Sequence, residues 1–115
     1  MAPGAADQAV AVLVPLWSVR WDYRDQGQPK LFEAYRDRLE RLVSYIAHSI
    51  RESGLASSYD CRANKDRLML IMIGPDRQRL RSELQIYFQL LKLPGNSTIT
   101  TFADDSPQPE EIAIS

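Results

Sequence analysis

Leu68-Met69-Leu70-Ile71-Met72-Ile73 is an unbroken apolar run between Arg67 and Gly74-Pro75. Successive side chains of a strand point to opposite faces. A strand with one wet face alternates apolar and polar residues, whereas a strand covered on both faces does not. Val10-Ala11-Val12-Leu13-Val14 has the same two-sided apolar character. Two other extended segments differ. In one, Ser58, Asp60 and Arg62 alternate with Tyr59, Cys61 and Ala63; in the other, Thr98, Thr100 and Thr101 dilute residues 98–102. The first two segments read as central strands and the second two as edge strands.

Between them the period changes. Over Lys30–Ser53, Phe32, Tyr35, Leu39, Leu42, Val43, Ile46 and Ile50 recur at helical spacing, with Asp37, Arg41, Ser44, His48 and Arg51 opposite. Pro29 suits the first turn of that helix and Gly54 its C-terminal cap. Gly74-Pro75-Asp76 opens a second helix, expected to run to Leu93 and to stop at Pro94-Gly95. Ala9–Tyr23, rich in Val and Trp, reads as extended, with a bulge or break at Pro15 because proline gives no ladder hydrogen bond. Asn64-Lys65-Asp66 reads as a hairpin turn.

The predicted order is β-α-β-β-α-β, which resembles the ferredoxin-like split βαβ arrangement. The resemblance implies an α+β domain over residues 9–103: a four-stranded antiparallel sheet with two helices on one face. Residues 1–8 read as a flexible leader. Residues 104–115 form an acidic tail in which Ile112 and Ile114 alternate as a short extra strand would.

With both helices on one face, the centre of the other face is apolar and needs cover, because large exposed apolar patches are rare on monomers. A second copy, another protein or the tail around Ile112 and Ile114 would supply it. The reading favours self-association, hence a homodimer, with a different protein partner next. Candidate interface residues are Val12, Leu68, Leu70 and Met72, although strand parity alone does not decide between 68/70/72 and 69/71/73 as the outward set. Trp17 and Trp21 join them, because Trp, Tyr and Arg dominate binding hot spots; packing as core is the competing role for both. On the second helix Leu80, Leu84, Tyr87, Phe88 and Leu91 make the core stripe. Ile86, Leu90 and Leu93 lie around the other side as a second contact patch, or sit beneath the first helix.

Composition adds bounds more than detail. Apolar residues are 44% and charged residues 25% of 115, ordinary for a globular chain. The one cysteine, Cys61, forms no internal disulfide, which fits a cytoplasmic chain, and no apolar run is long enough to cross a bilayer. Residues 8–103 hold all 14 Lys and Arg and carry a net charge of +4, against −1 for the whole chain. Eleven of the cations are Arg. That bias permits nucleic-acid binding through Arg36, Arg38, Arg41, Arg77, Arg79 and Arg81, the alternative function. RNA-recognition domains share the element order and stack bases on aromatics of the central strands, but residues 67–73 contain none. His48 is the one histidine, so no transition-metal cluster is expected, and no nucleotide fingerprint occurs. No catalytic residue, cofactor or metal is therefore assigned. A non-enzymatic interaction or regulatory domain is the leading expectation, with a small dimeric α+β barrel enzyme as a further alternative.

Overall fold

The computed structural model describes residues 8–102 and 110–114. It is an α+β fold with three helices and one five-stranded antiparallel sheet, against the two helices and four strands expected. The elements are β1 (Gln8–Pro15), α1 (Trp17–Asp25), α2 (Pro29–Glu52), β2 (Ser58–Ala63), β3 (Arg67–Gly74), α3 (Arg77–Leu90), β4 (Thr98–Thr101) and β5 (Glu110–Ala113). The sheet order is β2-β3-β1-β4-β5. The two apolar strands, β3 and β1, lie side by side, with Val12 opposite Leu70 and Leu13 opposite Met69. Of the expected leader, Gln8 opens β1 and the rest lies outside the described residues.

The helices cover one face. α2 lies over β2 and β3, and α3 over β1 and β4. Val10, Val12, Val14, Leu68, Leu70, Met72 and Ile99 point into this layer and are fully buried. They meet Phe32, Leu39, Val43, Ile46 and Ile50 of α2 and Leu80, Leu84 and Phe88 of α3. The expected α2 stripe is therefore real except at Leu42, which is exposed; Ala47 is buried instead.

The extra helix α1 corrects the extended reading of residues 17–23. β1 stops at Pro15, and the amide of Leu16 then donates to the carbonyl of Asp66 at 2.7 Å. β-branched and aromatic residues favour strands by propensity, but packing overrides propensity. Val19 and Tyr23, four residues apart, pack against the core from one face of α1. Tyr23 rests against Phe32 and Tyr35 of α2, with ring centroids 6.5 and 6.1 Å apart. A strand would have sent Val19 and Tyr23 to one side with no helix to meet.

The second difference is the end of α3. Leu91 is already extended, three residues before Pro94. Proline disfavours helical geometry in the residue before it. The extended path turns Leu91 and Leu93 back onto the core, where both are half-buried. The third is β5, which pairs with β4 so that Ile99 faces Ile112. The Ile114 amide donates to the Ser97 carbonyl at 3.0 Å, and its side chain is buried. These residues widen the sheet and face the helices, so they do not cover the opposite face.

Candidate functional site: the open face of the sheet

Strand parity, left open by sequence, is settled by burial. The outward set on β3 is Met69, Ile71 and Ile73, and on β1 Ala9, Ala11 and Leu13; all six are half-exposed. They form rows across the central strands: Ala9 opposite Ile73, Ala11 opposite Ile71, Leu13 opposite Met69. Phe102 extends the first row. Its amide donates to the carbonyl of Ala9 at 3.0 Å, and its ring is 45% exposed. Among the described residues nothing packs on this stripe.

Its borders are polar. On the β2 side Ser58 is opposite Ile73, Asp60 opposite Ile71 and Arg62 opposite Met69. Arg62 and Asp60 pair at 2.9 Å, both well exposed. On the other side Thr98 and Thr100 are followed by Ala113 and Glu111 of β5. The result is an apolar centre with a polar rim, the anatomy of a protein interface. A shallow depression of about 480 Å³ lies over the β2–β3 end of this face, between Asp60, Arg62, Arg67, Met69 and Ile71.

Four expected interface residues are misplaced by one position in the strand. Val12, Leu68, Leu70 and Met72 are fully buried under the helices and present nothing to a partner. Both parities of β3 are apolar, so no polar residue marks which one faces water. The expectation for Trp17 and Trp21 as strand residues on the sheet fails, but both are exposed, at 53% and 47%, four residues apart on α1. Ile86 and Leu90 are exposed on α3 and are not covered by α2, whereas Leu93 has left the helix. Phe102 was missed because it sits past the last paired residue of β4, where aromatic content alone gives no direction.

The six arginines do not form one surface. Arg36 is partly buried near the start of α2, 3.5 Å from Asp37. Arg38 and Arg41 are exposed further along α2, Arg41 donating to the Asp37 carbonyl at 3.4 Å. Arg79 lies near Ser49 and Ser53, at the other end of α2. Thirteen residues of helix between Arg36 and Ser49 correspond to roughly 20 Å. Arg77 and Arg81 flank Arg79 on α3.

The two remaining candidate groups sit apart from the stripe. His48 is exposed on α2, 3.8 Å from Glu52. Cys61 is half-buried, turned from the open face toward α2. Burial raises its thiol pKa, the carboxylates of Glu40 and Asp60 raise it further, and a hydrogen bond with Ser44 opposes them. A thiol held protonated is a poor nucleophile. No helix among the described residues is long and apolar enough to cross a membrane. Comparison of the chain with protein families, with curated proteins and with solved structures found no match.

Proposed function

We propose that this chain is a non-enzymatic protein-interaction or regulatory domain that pairs with a second copy of itself through the open sheet face. The observation that carries the reading is the stripe Ala9, Ala11, Leu13, Met69, Ile71 and Ile73, contiguous across the two central strands and extended by Phe102. In this reading β2-β3-β1-β4 is the ferredoxin-like sheet and β5 an added edge strand. Two such faces pack about 10 Å apart with their strands roughly aligned. A two-fold axis along the strands sets the β2 border of one copy over the β4–β5 border of the other. That axis keeps residues level along the strands, so Asp60 lies over the partner copy's Glu111, and Arg62, paired with Asp60, is the border cation that offsets the two carboxylates.

Size decides what kind of dimer this is. Five strands about 4.8 Å apart, each presenting roughly 20 Å of length, give a face of about 480 Å². Pairing two faces removes on the order of 1,000 Å², the lower limit for a specific interface. An interface of that size falls in the weak, reversible class. Sedimentation equilibrium tests it: a monomer–dimer transition is expected for the native chain and its loss in Ile71→Arg. A native chain that stays monomeric at high micromolar concentration overturns the reading.

A further inference from the structure

A second concavity lies off the stripe, on the other side of the β2–β3 turn. It is a cleft of about 280 Å³ between α1, the first turns of α2 and the β2–β3 turn. Arg20 and Arg24 of α1, Arg36 of α2 and Lys65 of the turn line it, together with Trp21 and one carboxylate, Glu33. Four cations around so small a space repel one another, and that repulsion opposes folding unless something answers it. Arg20 is answered by Asp66 at 3.1 Å and Arg36 in part by Asp37. Arg24 and Lys65 have no ion-pair partner among the described residues.

The walls are held in place before any ligand arrives. The Asn64 side chain accepts the amides of Asp66 and Arg67 at 2.8 and 3.0 Å, which fixes the turn carrying Lys65. The Leu16–Asp66 backbone bond and the Arg20–Asp66 pair tie that turn to α1. Tyr23 against Phe32 and Tyr35 fixes α1 on α2. A preset site spends less of its binding energy on ordering. The Arg24 guanidinium lies over the Trp21 ring, 4.8 Å from its centroid, so one aromatic face carries the positive charge and the rest of the half-exposed ring stays open to a ligand. Guanidinium forks match carboxylate and phosphate oxygens.

We propose that this cleft binds a small organic oxyanion with a flat apolar body, its head group a carboxylate or a phosphate monoester. The volume, just under the usual range for drug-sized ligands, fits one ring and one anionic head. Arg24 and Lys65 hold the head, and the Trp21 ring carries the body.

The chain has two tryptophans, so Trp17→Phe leaves Trp21 as the only indole reporter. Titrating that protein with phenyl phosphate and with benzoate should give a saturable change in Trp21 fluorescence with at least one of them, and the responding probe names the head group. Adding Arg24→Gln and Lys65→Gln should weaken that binding about tenfold or more, with the circular dichroism spectrum unchanged. Absence of a saturable response to both probes up to about 10 mM overturns the proposal, as does equal affinity in the folded Gln variant. None of these residues lies on the open sheet face, so the outcome is independent of the dimer reading.

Discussion

Leu13 and Met69 are direct cross-strand partners on the uncovered face of the sheet, while their chain neighbours Val12 and Leu70 form the adjacent pair inside the core. One step along either strand thus separates a residue that holds the fold from one that faces outward. Truncation should expose the difference. Leu70→Ala removes fully buried methyl groups and should cost about 2–5 kcal/mol in denaturant unfolding. Met69→Ala on the half-exposed face should cost about 1 kcal/mol or less at concentrations where the chain is monomeric. Equal losses would mean that the two faces are equally covered.

Charge placed on the stripe separates association from folding more sharply. Met69→Lys should leave the thermal unfolding of dilute protein within a few degrees of native, a shift that corresponds to about 0.5 kcal/mol. The same change should shift sedimentation toward the monomer, because an unpaired charge is costly to bury in an apolar interface. Leu70→Lys should instead fail to fold. The contrast is measured by pairing circular dichroism with sedimentation on both variants.

Much of this arrangement was legible from residue pattern, for reasons that can be named. β1 and β3 were recognisable as central because both their faces are apolar, and α2 because Phe32, Leu39, Val43, Ile46 and Ile50 keep one helical face. The same two-sided apolarity hid which parity of β3 points outward, since nothing polar breaks the tie. α1 was hidden because Trp17, Val19, Trp21 and Tyr23 are strand formers, and their helix exists through the packing of Val19 on the core and of Tyr23 on α2. The basic cleft was hidden with it: Arg20, Arg24, Arg36 and Lys65 come from three segments that only the placement of α1 brings together.

Gly74 ends β3 where α2 gives way to β2, and a Cβ there would collide with the carbonyl oxygen of Leu55 and crowd the Ala56 backbone. Those neighbours are main chain and cannot swing aside. The Ser57 amide bonds the Ile73 carbonyl at 2.7 Å, which pins the two segments at this spacing. Gly74→Ala should therefore destabilise the chain by about 1–3 kcal/mol. Gly27→Ala offers a comparison: that residue has open space around it but sits at φ +71°, so its penalty is conformational and about 1 kcal/mol. Urea unfolding of the two variants should rank Gly74→Ala as the more damaging.

The start of α3 depends on one side chain. Asp76 is its N-cap and accepts the Arg79 amide at 3.2 Å, and the first turn contains no other acid. Asp76→Ala removes this bond and the negative charge near the helix's positive end. It should cost about 0.5–2 kcal/mol. Asp76→Asn keeps the acceptor but not the charge and should recover most of the loss, with the remainder shrinking as salt is added.

Cys61 and Tyr35 together give the pH dependence a sign. Burial is the main cause that raises both pKa values, from ordinary values of 9.0 for the thiol and 10.0 for the phenol; Tyr23 adds to the rise at Tyr35. A group whose folded pKa is raised stabilises the fold fully below its unfolded pKa. As pH climbs, the unfolded chain ionises first, and that contribution is lost up to the folded pKa. The urea midpoint should hold level below about pH 8 on account of these two groups and fall beyond pH 9, where the thiol titrates in the unfolded chain. Cys61→Ser cannot ionise in this range and should remove the earlier part of the decline, leaving the Tyr35 part at higher pH. A midpoint that falls equally in both proteins would show that the Cys61 thiol titrates alike in the folded and unfolded chain.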